Sequence, residues 1–297
     1  MDTLNFKKAD LIAIIANDAG AANLILGWIR KNNLLNYCFC LDGPAYKIFK
    51  DANLLKENLD FKNAINRSNK VITGTSHSSS LEHEARIYSK KLNKLSIAVI
   101  DHWVNYEIRF VRNGKQVLPD LIWVFDEYAE RIAINTFEKT LIKRQNNYYL
   151  EYLVEEIKKI QIKEDYPKVN ILYVLEPIRK NSSREIIYEF EVLNYFLSKI
   201  KNFNFNKKVD IKLRLHPSEN KHKYQKWLNR NQRFNLSFSL NKRLEKDIAW
   251  SDIVVGYESF ALVIASAASK RCYSSKLPHE GNSRLMIKDL EYLRDLD

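Results

Sequence analysis

The sequence contains no glycine-rich dinucleotide fingerprint and no Walker-type phosphate loop, so no nucleotide-binding motif of either kind is present. No run approaches the roughly 20 consecutive apolar residues that a spanning helix needs. The longest, such as Leu11–Ala16, are the size of a strand. The opening residues, Met1-Asp2-Thr3-Leu4-Asn5-Phe6-Lys7-Lys8, lack the apolar centre of a secretory signal, so the expected location is the cytoplasm. Cysteine is sparse. Cys38, Cys40 and Cys272 match no zinc spacing and read as buried free thiols of a reducing compartment. The only Asp-x-Asp, Asp295-Leu296-Asp297, follows no strand, and no metal site is expected there.

What remains is the composition of a folded chain. Of 297 residues, 45% are apolar and 28% charged, enough for a substantial core and for two domains of ordinary size. The net charge of +12 is uneven: residues 177–250 hold 17 Lys/Arg against 7 Asp/Glu. Such a surface attracts phosphate groups and also suits peripheral contact with an anionic membrane. Nucleic acid is the weaker expectation, because the basic residues are spread over helices and strands and no zinc-finger, RRM or KH signature accompanies them.

Apolar runs alternate with helical periodicity along the chain. Leu11–Ala16 is a continuous apolar run, the pattern of a strand covered on both faces, and 37–41, 70–74, 96–100 and 121–125 follow as further strands. Helices are expected over 21–31, 45–52 and 81–92, and the whole of 128–163 reads as helical. Pro167 breaks that stretch, so the boundary is set at 160–168, giving an N-terminal domain over 1–165 and a C-terminal domain over 166–297. The alternation then restarts with strands at 169–175, 209–215, 252–256 and 270–274 and helices at 183–199 and 259–268. The fold class is therefore α/β, with two Rossmann-like parallel-sheet domains expected to face across a cleft, where the C-terminal ends of strands bind ligands.

Four places carry chemistry at such strand ends. Asp18, followed by Ala19-Gly20, can take a proton from a hydroxyl or cap the next helix. In Arg214-Leu215-His216-Pro217, Pro217 holds His216 extended, which aims its imidazole over the strand end. In Gly256-Tyr257-Glu258-Ser259 a helix start offers N–H groups and a hydroxyl to an anion, while Glu258 can accept from ribose hydroxyls. Asp101-His102-Trp103-Val104-Asn105-Tyr106, with Arg109-Phe110, mixes polar and aromatic groups suited to a sugar or acceptor. The hydroxyl-rich run Gly74-Thr75-Ser76-His77-Ser78 belongs to the same set, with Asp126-Glu127 a weaker member.

Asp18, His216-Pro217 and Ser259, in that order and on those elements, resemble the GT-B class of bacterial glycosyltransferases, nearest to those using CMP-linked sialic acid or Kdo. The resemblance implies an inverting, metal-independent transfer without a cofactor. Asp18 is then the base, His216 is catalytic too in stabilising the departing phosphate, and Arg214, His216, Pro217, Gly256, Glu258 and Ser259 hold the nucleotide. Gly20, Thr75, Ser76, His77, Asp101, His102, Asn105 and Tyr106 are left to face a glycan or lipid-linked acceptor. Two departures stand out: Ala19 precedes Gly20 where a glycine directly follows the acidic residues in that class, and Glu258-Ser259 replaces paired hydroxyl residues. A UDP-sugar epimerase or transferase, a polyol-phosphate transferase, or a non-catalytic nucleotide-binding protein would share the same fold.

Overall fold

The computed structural model describes residues 6–32, 36–55, 57–162, 168–178, 188–203 and 205–296. It divides into two units, Met1–Glu151 and Tyr152–Asp297, a division ahead of the expected 165/166. Boundary residues 163–167 and the expected helix start at Ser183 lie outside the described residues.

The first unit begins β1 (Leu11–Ala16), α1 (Ala19–Lys31), β2 (Asn36–Leu41), α2 (Gly43–Asp51) and α3 (Phe61–Arg67). It continues through β3 (Lys70–Thr73), α4 (Leu81–Lys91), β4 (Leu95–Val99) and the small hairpin β5 (Val111–Arg112) and β6 (Lys115–Gln116). Then come β7 (Leu121–Val124), α5 (Glu127–Thr136), β8 (Leu141–Arg144) and α6 (Tyr148–Lys159), the last running over the division. The sheet has the order β2-β1-β3-β4-β7-β8, and every pair in it is parallel.

Local sequence explains these elements. Ile12 to Ala16 are fully buried, as a strand covered on both faces must be. α1 buries Ala21, Ala22, Leu24, Ile25 and Trp28 and ends on Arg30-Lys31, whose charges suit a helix C-terminus. Trp28 packs on Trp123 of β7 with ring centroids 5.0 Å apart, joining the helix layer to the sheet. The expectation of one helical stretch over 128–163 is corrected. Two helices there flank β8, an edge strand reading Leu-Ile-Lys-Arg whose charges suit an edge and hide its strand character.

The second unit runs β9 (Lys168–Val174), α7 (Tyr188–Lys199), β10 (Lys208–Arg214), α8 (Lys221–Arg230) and β11 (Asn235–Phe238). α9 (Leu244–Trp250), β12 (Ile253–Gly256), α10 (Phe260–Ala267), β13 (Arg271–Ser274) and β14 (Glu291–Tyr292) complete it. The order β11-β10-β9-β12-β13-β14 is again all parallel. Tyr173, Phe196, Tyr224 and Tyr273 fill its core. Both halves are thus Rossmann-like α/β domains, as expected. Among the described residues no helix is long and apolar enough to cross a membrane.

Candidate functional site

Strand order locates the ligand-binding edge of each unit. In the first, β1 leads to β2 on one side and to β3 on the other, so the loops after β1 and β3 part company there. Open α/β sheets bind ligands outside the carboxyl ends of strands at such a switch point. Asp18 follows β1, Thr75 and Ser76 follow β3, and Asp101 follows β4.

Asp18 is the N-cap residue of α1, but its side chain makes no capping hydrogen bond of ordinary geometry. Its Oδ1 is buried and has no hydrogen-bond partner. Burial, then the charge of Asp101, push its carboxyl above the ordinary value, against the pull of Arg109 and of weaker hydrogen bonds from the Ala21 N–H and Ser76. Asp101 is paired with Arg109 at 2.7 Å. The same guanidinium donates to Thr75 Oγ1 at 3.2 Å, and that hydroxyl donates to Val99 O at 2.9 Å. Ser76 Oγ donates to Asn17 Oδ1 at 3.3 Å. Asp18, Gly20, Thr75, Ser76 and Asp101 therefore form one cluster.

Gly20 is required by contact rather than by its own conformation. A Cβ there would lie 1.6 Å from Asp101 Oδ2 and 2.6 Å from its Cγ. Gly20→Ala is expected to lever Asp101 off Arg109 and to cost about 1–3 kcal/mol, the usual size of an overpacking penalty. A melting curve that matches the parent's would show that Asp101 moves without cost.

Other expected acceptor residues are placed elsewhere. His77 is exposed. His102 Nδ1 accepts the Trp103 N–H at 2.9 Å, so the neutral ring carries its proton on Nε2. Tyr106 is a core residue: it is buried, donates to Ala129 O and stacks on Phe137. Asn105, with positive φ, and Tyr106 line an open depression of about 350 Å³ with Glu107 and Ile132. Asp126 has both oxygens engaged, by Trp103 Nε1 at 2.7 Å and by the Ala129 N–H.

In the second unit β9 is flanked by β10 and β12. Val174 pairs with Arg214 on one side and Gly256 on the other. Two residues further along, just past the ends of these three adjacent strands, lie His216, Glu176 and Glu258. His216 Nδ1 accepts the Ser218 N–H at 3.2 Å, and Ser218 Oγ lies 2.7 Å away. Because a backbone N–H can only donate, the neutral ring holds its proton on Nε2, and this exposed residue can offer it to an anion. Pro217 is exposed beside it.

Arg214 is engaged within its own unit. Its guanidinium bonds the fully buried Asp247 and the carbonyls of Asn241 and Lys242. Glu258 is also engaged internally, by the Arg284 fork at 3.0 and 2.7 Å and by Lys276 at 3.3 Å. Burial would raise its carboxyl, but these cations hold it below the ordinary value. A ribose hydroxyl would have to share those oxygens. Ser259 caps α10 by accepting the Ala261 N–H at 3.3 Å, which leaves its own proton to donate. Gly256 makes room for Val174, whose Cγ2 would sit 2.5 Å from a Cβ.

Sequence reasoning missed two carboxylates, Glu82 buried and Glu176 half-buried, both pushed up to about 7 chiefly by desolvation. Glu176 accepts the Glu258 N–H from the end of β9. Glu82 accepts the Asn17 N–H at 2.8 Å from α4. Glu176 closes an apolar strand, a signal that could have found it; Glu82 looks like any acidic residue in a first helical turn. Among the described residues no three of His, Cys, Asp and Glu gather to hold a metal ion.

No family model matches the sequence, and no curated protein matches it. Solved structures do match the fold. A Listeria monocytogenes protein assigned as a UDP-N-acetylglucosamine 2-epimerase superposes with a TM-score of 0.61 at 12% identity, over 89% of this chain and 79% of its own. The UDP-GlcNAc 2-epimerase of Neisseria meningitidis, solved with UDP-GlcNAc bound, gives 0.59 at 11% identity over 89% and 82%. The glycosyltransferase of kitacinnamycin gives 0.54 at 10% identity over 95% and 86%. The GT-B-like pair of Rossmann-like domains is common to them and to this chain.

Proposed function

We propose that the chain is a glycosyltransferase that moves a sugar from a nucleotide donor by inverting displacement, with Asp18 as general base. The observation that carries this reading is Asp18 itself. It lies just past the first strand at a switch point, one of its oxygens is buried without a partner, and burial weakens its acidity. A carboxylate so held is a better proton acceptor near neutral pH than a free one. An acceptor hydroxyl deprotonated there attacks the anomeric carbon, and the bond to the nucleotide phosphate breaks. His216 Nε2–H, the Ser259 hydroxyl and the N-terminus of α10 supply donors to the departing phosphate.

For the donor we propose a CMP-linked acidic sugar of the sialic acid or Kdo kind, passed to a surface glycan or lipid-linked acceptor. The placement of Asp18, His216-Pro217 and Ser259 supports it. A UDP-sugar transferase or epimerase is the second reading, favoured by the Neisseria meningitidis neighbour that holds UDP-GlcNAc. Melting curves with CMP, CDP, UDP and GDP separate them, since a ligand at 100 times its Kd adds about 2.7 kcal/mol. A larger shift with CMP than with UDP supports the first donor, and the reverse supports the second. Conversion of UDP-GlcNAc without an acceptor would identify an epimerase, and no shift with any nucleotide would sink both readings.

Ser259→Ala tests the phosphate end. Loss of the cap is expected to cost about 1 kcal/mol of stability. Loss of the donated hydrogen bond should raise the nucleotide Kd about fivefold, the equivalent of about 1 kcal/mol. A lowered melting point with unchanged Kd would leave Ser259 as a cap only.

A further inference from the structure

We infer that Glu82 is a positioning residue for Asp18, fixing the turn after β1 from α4 and setting a second buried carboxyl beside the base. The inference rests on the reading of Asp18 as base. Glu82 is 1% exposed. Its Oε1 accepts the backbone N–H of Asn17, the residue immediately before Asp18, at 2.8 Å. Its Oε2 is buried and has no partner. An acidic residue in the first turn of a helix ordinarily serves the helix dipole from the surface. Glu82 instead reaches out of its helix to hold the backbone of another element.

The passage it takes is shaped for it. A Cβ on Gly74, at the end of β3, would lie 2.9 Å from Glu82 Oε1 and 3.2 Å from Ala21 Cβ. Asn17 is tied down a second time, through its side chain, by Ser76 and Ser78. The turn carrying Asp18 is thus clamped from β3's loop and from α4 together.

Glu82 is faced by Asp18, by Arg86 one turn along α4, and by Cys40 of β2. Asp18 is faced by Asp101 and Arg109. Arg86 spends its hydrogen bonds on Val117 O, Thr73 Oγ1 and Gly74 O and lies over the Phe110 ring, so it reaches Glu82 through its field alone. Burial pushes Glu82 up to about 7. The unpartnered Oε2 is where its proton sits while Oε1 keeps the Asn17 N–H. Carrying that proton, Glu82 adds no charge near Asp18. Ionised, it makes Asp18 harder to ionise and more basic, and the two titrations become those of a pair.

The test is carboxyl NMR of the full chain, ¹³C-labelled at Asp and Glu, titrated in the parent, Asp18→Asn and Glu82→Gln. Removing the Asp18 charge should lower the Glu82 midpoint by about half a pH unit or more. Glu82→Gln keeps an oxygen for the Asn17 N–H and should leave the Asp18 midpoint nearly in place, because Glu82 still holds its proton while Asp18 titrates. Its pH–rate profile should change only where Glu82 ionises, near pH 7, with the acid limb unmoved. A Glu82 midpoint unmoved in Asp18→Asn overturns the inference, whether or not Glu82→Gln folds. Linked titrations in a protein that turns over no nucleotide sugar would uphold the pairing and refute the functional reading. Turnover with a Glu82→Gln profile superimposed on the parent's would do the opposite.

Discussion

Asp18→Asn should leave the melting temperature nearly unchanged while turnover falls by roughly 10²–10⁴-fold, the range of a lost general base. The structure separates the two roles that Asp18 can play. As a helix cap it has little to lose, because its hold on the Ala21 N–H is loose and Asn caps about as well as Asp. As a buried carboxylate it carries a cost, since Oδ1 has no partner. The sign follows from the direction of its shift. A carboxyl whose folded-state value lies above its ordinary 3.8 stabilises the fold fully below that value, and the contribution fades as pH rises through the folded one. Asn does not ionise, so the variant should lose less stability than the parent between acid and neutral pH. Turnover and thermal unfolding measured on the same preparation check both halves. Intact turnover with a lower melting point would make Asp18 a cap. The remaining carboxylates are then poor substitutes, because Asp101 is bound to Arg109 and Asp126 to Trp103 and Ala129.

Asp247→Ala should destabilise the second unit by about 3–5 kcal/mol, the cost of breaking a buried pair from one side. Asp247 is fully buried and accepts from Arg214, from Ser239 Oγ at 2.6 Å and from Asn241 Nδ2 at 2.6 Å. Its removal leaves the Arg214 charge with carbonyls only and frees the loop after β11. Because Arg214 ends β10 two residues before His216, nucleotide affinity should weaken as well. Denaturant unfolding reads the first effect. A double substitution, Asp247→Leu with Arg214→Met, should recover much of the loss, since replacing both partners removes the stranded charge. A single-variant loss below about 1 kcal/mol would mean that solvent reaches the site.

Apolar runs made most of the fold legible. Leu11–Ala16 and Leu121–Val124 sit in the interior of their sheet, where both faces are covered and the sequence has to be continuously apolar. β8, β11 and β14 carry no such signal. They lie at or beside sheet edges and read as charged or mixed segments, and β14 has only two residues. The candidate site divides in the same way. Asp18, Ser259 and His216 were visible because each directly follows an apolar strand or starts a helix after one. Arg214 and Glu258 were visible too, but their partners, Asp247 and Arg284, lie 33 and 26 residues away in the chain. No local pattern reports that a charge is already paired at such a distance. Glu82 was invisible for the related reason that its partner is a backbone N–H 65 residues earlier.

The parallel pairing of both large sheets also has a kinetic side. Each of the ten strand pairs in them is parallel, and among the described residues only the small β5–β6 hairpin is antiparallel. A parallel pair cannot be closed by a tight turn, so a whole crossover must be ordered before its first ladder bond forms. β9 waits longest, because its partner β12 begins 79 residues after β9 ends. Loop-closure entropy is thus spent well before burial returns it, and folding of this chain is intrinsically slow. During that wait Ile171, Leu172 and Tyr173, fully or almost fully buried in the finished protein, stand open to other copies of the chain. The excess of positive charge around them in sequence then acts on the unfinished molecule, keeping like chains apart until the central strand is covered.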